Sequence, residues 1–322
     1  MPYKKYPLIR PAGTRLESIH DRVPRIDRSN FAQCVYPGCS VAEFFSALPR
    51  TGAAVDLGAL AGRLRAARNQ DLAVIMGMDD AAAESALQPL IIDLMERGWI
   101  SAMAVSWNVA VTDFEIALTG NIGQKIAKGG AFSVAEETGL LLNAGLKEGM
   151  QRKIGCGEAI GLYMTEAGFP FSSLSLLYTA YKLNIPVTVH PGGGRNPTRL
   201  HPHHDCAVLA SLGEKDFLFL ASILGRMEGG GIWVQAGHSA LLVGILLEAI
   251  HFCAANGMPL PQLDAGLLLD SVPCREEENF MHECREAGGW CRRIPGDLSL
   301  LLPLLAALLL NPAAEENTRE EA

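Results

Sequence analysis

The sequence lacks both a surplus of basic residues and a long apolar run. Its 322 residues include 27 lysines and arginines and 35 aspartates and glutamates, for a formal charge of −8. A nucleic-acid-binding protein needs a basic face to displace counterions from phosphate, so we predict no nucleic-acid partner. The most apolar segment, residues 298–310, is shorter than the roughly 20 residues that span a bilayer and contains Pro303. We expect it to form a buried helix, with no membrane partner.

Signals for export, disulfides and zinc frameworks are also missing. The first ten residues, MPYKKYPLIR, contain no apolar core of signal-peptide length, which predicts a cytoplasmic protein. None of the eight cysteines forms a Cys-x-x-Cys pair, and in such a chain we expect reduced thiols. Cys274, Cys284 and Cys291 could meet at a metal, but their spacing matches no common zinc motif. We therefore predict no metal ligands.

Two common site signatures are absent. No Gly-x-Gly-x-x-Gly lies between a predicted strand and a helix; the nearest match, residues 155–161, has the wrong spacing and follows a helix. After a predicted strand at residues 232–236, Gly237-His238-Ser239 continues to Leu241, where a nucleophile elbow requires glycine. This pattern disfavours a hydrolase triad.

An alternation of strands and helices is present. Short apolar runs predict strands covered on both faces at residues 72–76, 100–105, 185–190 and 232–236. Helical periodicity separates these runs, as in the strand–helix–strand units of a parallel sheet. We predict an α/β fold with a Rossmann-like, doubly wound, mostly parallel sheet and helices on both faces. The predicted divisions are an N-terminal arm at 1–40, one domain at 41–311 and a disordered acidic tail at 312–322.

Local sequence patterns predict the boundaries of several further helices, strands and loops. A capping-box pattern starting at Ser133 predicts a helix to about residue 150. A later helix is expected from about Lys215 to Met227. The last strand is predicted at residues 267–269, followed by a polar loop at 271–293.

The functional prediction centres on residues 185–205, IPVTVHPGGGRNPTRLHPHHD. A strand that opens into a glycine-rich loop is typical of the crevice at the carboxyl end of an α/β sheet. His190, His201 and the segment 203–205 then offer groups that transfer protons or bind metals. Adjacent His203 and His204 point to opposite sides of an extended segment, so at most a subset could share an ion. A hydrogen-bonding or proton-transferring role for His190 or His201 is favoured over metal binding.

Polar residues also follow the other predicted strands. The carboxylates of Asp79, Asp113 and Glu137 could hold ribose hydroxyls or a polyamine, although helix capping explains Asp79 equally well. The backbone amides of His238 and Ser239 precede a helix and could bind an anion.

Six segments of the sequence resemble the deoxyhypusine synthase family, most closely its bacterial branch of deoxyhypusine synthase-like proteins. They occur in the family's order and extend the resemblance over about residues 40–310; they are residues 87–105, 113–120, 135–149, 181–190, 227–250 and 300–309.

The resemblance implies a Rossmann-like NAD-binding fold, a homo-oligomer (dimer or tetramer), and transfer of an aminobutyl group from a polyamine through a lysine imine. The predicted catalytic residues are His190, His238 and Asp113. The predicted cofactor contacts are Gly77, Met78, Asp79, Ser106, Trp107, Asn108, Gly237 and Ser239. The predicted substrate contacts are Glu137, Asn196, His201 and Asp205.

One departure from the family affects the chemistry. In deoxyhypusine synthases a lysine follows the strand that ends at Gly237, whereas here the last lysine is Lys215. Histidine and arginine cannot form the imine. We therefore predict an NAD-dependent transferase or oxidoreductase that acts on a polyamine or another amine without a lysine imine, with His190 or His238 moving protons. The alternatives are a ligand-binding paralog or partner subunit without catalysis, and a metal-dependent hydrolase using residues 201–205.

Overall fold

One parallel six-stranded sheet organises the chain. The computed structural model describes residues 13, 17–23, 25–123, 135–192, 198–227, 229–238, 240–258, 262–269 and 272–311. The strands are β1 Ala73–Met78, β2 Ala102–Ser106, β3 Val187–His190, β4 Gly231–Ala236, β5 Leu263–Leu269 and β6 Cys291–Pro295. They lie in the order β3-β2-β1-β4-β5-β6, and every neighbouring pair is parallel.

Helices cover both faces of this sheet, which confirms the predicted fold class. The α-helices are α1 Val41–Ala47, α2 Ala53–Asn69, α3 Asp80–Glu84, α4 Gln88–Glu96, α5 Trp107–Thr119, α6 Glu136–Arg152, α7 Cys156–Ala167, α8 Leu176–Lys182, α9 Cys206–Leu224, α10 Ala240–Ala255, α11 Arg275–Glu286 and α12 Leu298–Leu310. Neighbouring residues of β1 point to opposite faces, as strand geometry requires. Met76 joins a core with α2 and α12, whereas Ile75 joins a core with α10 and α11.

The apolar segment near the C-terminal end is a buried helix, as predicted. Leu301, Leu302 and Leu305 of α12 are buried in the same core as Met76. Pro303 lies inside this helix. Among the residues that the structure describes, no helix is both long and apolar enough to cross a membrane. All eight cysteines are free thiols.

Two boundary predictions were wrong. Residues 271–293 are not a polar loop, because α11 buries Phe280 and Cys284 there and β6 begins at Cys291. The strand predicted at 267–269 begins at Leu263 and is not the last one. In α11 the polar residues outnumber the buried apolar ones, and in β5 Asp264 and Gly266 interrupt the apolar run, so that the periodic signal is weak in both.

Two helix starts also differ from the predictions. Helix α9 begins at Cys206 rather than near Lys215, because Asp205 caps it by accepting hydrogen bonds from Ala207 N and Val208 N. Helix α6 begins at Glu136 after Ala135, which makes no side-chain cap; Ser133 lies outside the described residues.

Candidate functional site

The ends of four adjacent strands lie side by side. Ser106 at the end of β2 pairs with His190 at the end of β3, and Met78 at the end of β1 pairs with Val105 and Ala236. From β1 the chain adds strands toward one edge of the sheet, and from β4 it adds them toward the other. The boundary between β1 and β4 is therefore the topological switch point, where open α/β sheets bind ligands. The predicted residues that follow these four strands lie along this edge.

Two aspartates follow β1 at the switch point. Asp79 is buried, accepts a hydrogen bond from Ala81 N, and caps α3. Its carboxylate lies against Gly237, where a Cβ atom would be 2.0 Å from Asp79 Oδ1. Gly237 also has φ 87°, so both the close approach and the backbone conformation require glycine there.

Asp80 connects the ends of β1 and β2. Its two carboxylate oxygens accept hydrogen bonds from Ser106 Oγ (2.8 Å) and Asn108 Nδ2 (2.6 Å). The remaining amide oxygen of Asn108 is buried and has no hydrogen-bond partner in the described chain. Buried polar atoms are rarely left unpaired, so Asn108 Oδ1 is an acceptor available to a ligand. Asp80 was not among the predicted site residues, although its position beside Asp79 could have suggested it.

His238 follows β4 and pairs with a buried carboxylate. Its Nδ1 lies 2.7 Å from Oε1 of Glu277, which is in the first turn of α11. Glu277 is fully buried, whereas the His238 side chain is 36% exposed. A carboxylate bonded to Nδ1 favours the tautomer with the proton on Nδ1 and leaves Nε2 as an acceptor. Sequence analysis missed Glu277 because it placed this residue in a polar loop.

Two further residues contact Glu277. Its Oε2 accepts a hydrogen bond from Cys274 N and lies 3.9 Å from Arg293 Nε. Arg293 Nε and Nη2 are buried without hydrogen-bond partners among the described residues. One ligand-type atom each from His238, Cys274 and Glu277 lies within 4.8 Å of the other two.

His190 is poorly suited to accept a proton near neutral pH. It is buried at the end of β3, with Nε2 2.9 Å from Thr188 Oγ1. Burial lowers the pKa of His190 to about 4. The ring therefore stays neutral and can act as a hydrogen-bonding group, while its catalytic role remains a prediction.

Asp113 holds two helices together. Its carboxylate is buried in α5 and accepts hydrogen bonds from Ser175 Oγ (2.5 Å), Leu176 N (2.7 Å) and Leu177 N (3.1 Å). These bonds satisfy the N-terminus of α8, where a negative charge is stabilised by the helix dipole. Burial nevertheless raises the pKa of Asp113 to about 6. Both oxygens accept hydrogen bonds within the fold, and the catalytic role of Asp113 remains a prediction.

Three of the predicted cofactor contacts are buried in the fold. A Cβ atom on Gly77 would be 2.4 Å from Trp233 Cζ2 and 2.5 Å from Gln235 Oε1, so this glycine is required by packing. The side chains of Met78 and Trp107 are buried in the apolar core. These residues can offer a ligand only their backbone groups, and their cofactor role remains a prediction.

Among the described residues, the histidine-rich segment is not part of a cluster of metal-ligand atoms. Asp205 is occupied as the cap of α9, and His201 Nδ1 accepts a hydrogen bond from His203 N. The His201 ring packs on Gly139, where a Cβ atom would be 2.1 Å from His201 Cδ2. Within the described ranges, residues 201–205 supply no three converging ligand atoms. The metal-dependent hydrolase alternative therefore gains no support from the described residues, and it remains a prediction.

The remaining predicted contacts are dispersed. Glu137 is exposed in the first turn of α6. Asn196 and Ser239 lie outside the described residues. Their roles and those of His201 and Asp205 in substrate binding remain predictions.

Two cavities lined by described residues lie away from the carboxyl edge. One of about 550 Å³ opens near the amino ends of β1 and β4 and is lined by Leu72, Gly231 and Trp290. The other, of about 900 Å³, lies at the amino end of β3 and is lined by Lys153, Lys182 and Lys215. These three lysines thus lie near the amino ends of the strands, whereas His238 follows the carboxyl end of β4. Lys125 and Lys128 lie outside the described residues.

Comparison with known proteins identifies the fold. No family model and no curated protein matches the chain. A "putative deoxyhypusine synthase" from Entamoeba histolytica superposes with a TM-score of 0.53 and 11% identity, covering 85% of this chain and 94% of that one. The chain has a deoxyhypusine synthase-like fold. The fold implied by the sequence resemblance is confirmed.

Two other solved structures share this fold. A "conserved putative LOR/SDH protein" from Methanococcus maripaludis gives a TM-score of 0.51 at 13% identity, with 89% of this chain and 75% of that one covered. The ternary complex of AgrE with ornithine and NAD+ gives a TM-score of 0.50 at 15% identity, with 79% of this chain covered. The match spans only 32% of AgrE. At these identities, the likeness concerns the fold.

Proposed function

We propose that this protein is an NAD-dependent enzyme that oxidises an amine and then releases or transfers the oxidised fragment. One observation carries the proposal: two aspartates follow β1 and a carboxylate-bound histidine follows β4, the two strands that flank the switch point of the sheet. Asp79 touches Gly237, the residue directly before His238, so acidic groups and a proton acceptor lie next to each other. Both are needed to bind a cationic amine and remove its proton.

The described residues provide groups that fit NAD. Asn108 Oδ1 is a buried acceptor without a partner, and half-buried Asp80 lies beside it at the end of β2. In doubly wound folds, a carboxylate in this region binds ribose hydroxyls of the dinucleotide. Asp80 and Asn108 would therefore hold NAD, which when bound accepts a hydride from the carbon next to an amine. The fold likeness to AgrE, whose structure was solved in complex with ornithine and NAD+, supports this assignment.

The residues of this chain perform the acid–base part of the reaction. The negative charge of Asp79 and Asp80 favours a protonated amine, because opposite charges attract strongly in a partly desolvated crevice. His238 Nε2 accepts the proton that the amine loses, while Glu277 stabilises the imidazolium that forms. The resulting imine carbon is open to water or to a second amine. Lys153, Lys182 and Lys215 line a cavity at the amino end of β3, away from this edge, so the proposed reaction leaves the oxidised fragment unattached to these lysines.

Binding and turnover test this proposal separately. The purified protein is titrated with NAD and with putrescine, spermidine or ornithine, and the melting temperature is recorded. A ligand that binds only the folded state raises that temperature. We expect a rise with NAD, a further rise with one of the amines, and NADH absorbance on mixing all three components. NAD binding without turnover would support the non-catalytic paralog instead, and no shift with any ligand would refute the proposal.

Two histidine variants refine the test. We expect His238→Gln to lower kcat by about 100-fold or more, the range for losing a general base. The matched variant His190→Gln, which replaces a neutral buried ring, is expected to lower kcat much less. Equal losses would contradict the assignment of His238. Size-exclusion chromatography of the same preparation tests the predicted homo-oligomer.

A further inference from the structure

We infer that His238, Cys274 and Glu277 form a binding site for a divalent transition metal of the zinc class. This site lies beside the proposed amine site and goes beyond the proposed function. Its three side chains come from the end of β4 and from the start of α11, and one ligand-type atom of each lies within 4.8 Å of the others. No other group of three such residues converges in the part of the chain that the structure describes.

The geometry is close to that of a zinc site. Zinc binds histidine nitrogen, thiolate sulfur and carboxylate oxygen at about 2.0–2.3 Å in a tetrahedron, so bound nitrogen and oxygen atoms lie about 3.4 Å apart. His238 Nδ1 and Glu277 Oε1 are 2.7 Å apart and share a proton. Replacing that proton with the metal requires these atoms to separate by under about 1 Å, which side-chain rotation of half-exposed His238 allows. The ligand set mixes nitrogen, sulfur and oxygen, which suits zinc and excludes calcium and magnesium.

The identity of residue 274 supports a ligand role. Cys274 is the N-cap of α11, and its side chain accepts a hydrogen bond from the backbone N–H of Glu277. Serine has nearly the same shape and is among the best N-cap residues, whereas a thiol is a weak acceptor. Capping alone therefore does not explain a cysteine here, but a thiolate ligand does.

Arg293 supplies the outer contact that metal sites usually contain. Its Nε lies 3.9 Å from Glu277 Oε2, the oxygen that does not face His238, and its Nε and Nη2 have no hydrogen-bond partner among the described residues. With Glu277 Oε1 on the metal, Oε2 remains for this arginine. Such outer-shell contacts orient a ligating carboxylate and tune its affinity.

Metal and proton exclude each other at this site. A metal on His238 Nδ1 and Glu277 takes the place of the proton that joins them, so His238 can no longer serve as the base of the proposed reaction. With three protein ligands, the fourth metal position is open to water. Metal binding would thus inhibit amine oxidation reversibly.

Cobalt titration of the full-length protein tests the inference without NAD or amine. After removal of metals with a chelator, Co²⁺ is added, and near-ultraviolet cobalt–thiolate absorption is recorded; Zn²⁺ then displaces the cobalt. We expect one metal per chain. Cys274→Ser keeps the helix cap but removes the thiolate, so the absorption should be lost. Arg293→Met should weaken binding by roughly 10–100-fold, the range for loss of an outer-shell partner.

Cys206→Ser is the matched control, because exposed Cys206 adjoins the histidine-rich segment. It should retain the absorption. Unchanged cobalt–thiolate absorption in Cys274→Ser, or its loss in Cys206→Ser, would overturn the inference, as would the absence of stoichiometric binding. Circular dichroism checks that each variant is folded, and Glu277→Gln provides a second variant that should weaken binding. Since no NAD or amine is present, failure of the proposed function would leave this result unaffected.

Discussion

Two buried groups should make stability depend on pH in opposite directions. Asp216 of α9 accepts hydrogen bonds from Val189 N (2.8 Å) and Gly157 N (3.0 Å), and burial raises its pKa from 3.8 to about 7. His190 follows Val189 in β3, and burial lowers its pKa from 6.5 to about 4. Each group titrates differently in the folded and unfolded chain, so each contributes to the pH dependence of the free energy of unfolding.

The signs follow from which state holds the proton. Folded Asp216 keeps a proton that the unfolded chain releases, so its contribution is lost as pH rises from about 3.8 to 7. Folded His190 stays unprotonated in a pH range where the unfolded chain binds a proton. Its contribution to the free energy of unfolding is therefore lost as pH falls from 6.5 to about 4. At about 1.4 kcal/mol per pH unit, these amount to about 4 and about 3 kcal/mol. Between about pH 4 and 6.5 the two slopes cancel.

Two substitutions separate these contributions. Urea denaturation at several pH values between about 4.5 and 6.5 gives the free energy of unfolding. Relative to the unaltered chain, Asp216→Asn should lose stability toward acid, and His190→Gln should lose stability toward neutral pH, each by about 1.4 kcal/mol per pH unit. The quantity to compare is the slope of the free energy of unfolding against pH. Either substitution also alters local hydrogen bonds, which changes the free energy itself. Parallel pH profiles for Asp216→Asn and the unaltered chain would refute this reasoning.

Further substitutions test individual contacts by thermal unfolding. Gly77→Ala should lower the melting temperature by about 3–6 °C, since its Cβ would overlap fully buried Trp233 at a cost of about 2–4 kcal/mol. In Gly62→Ala in α2, the added Cβ meets no atom within 4 Å, so this change should stabilise the protein by about 0.5–1 kcal/mol. An equal decrease in melting temperature in both variants would contradict the packing argument. Ser175→Ala removes the cap of α8 and a partner of Asp113, so we expect a loss of about 1–3 kcal/mol, and an unchanged melting temperature would be inconsistent with that role.

The sequence predicted the strands that define the site. Continuous apolar runs identified β1 to β4, because these strands are covered on both faces and contain few polar residues. Their ends brought Asp79, Asn108 and His238 to one edge, as a parallel sheet requires. The order of the strands in the sheet was not predicted, because periodicity carries no information about which strands are neighbours.

The partners of these residues could not be predicted in the same way. Glu277 and Arg293 lie in α11 and β6, two elements whose charged residues hid their periodicity. Their contacts with His238 and with each other depend on the packing of α11 against the sheet, which a local pattern does not encode. Asp205 shows a second limit, since the sequence did not reveal that this predicted substrate contact also caps α9.

Strand β6 also affects how the molecule behaves at high concentration. An outermost strand offers unpaired backbone groups on which a second chain can add, which leads to aggregation. Here that strand reads Cys-Arg-Arg-Ile-Pro, with Arg292 and Pro295 exposed. A proline has no N–H to donate, and a charged side chain resists burial in a growing sheet. The polar residues that concealed this strand in the sequence therefore also protect the protein from self-association through it.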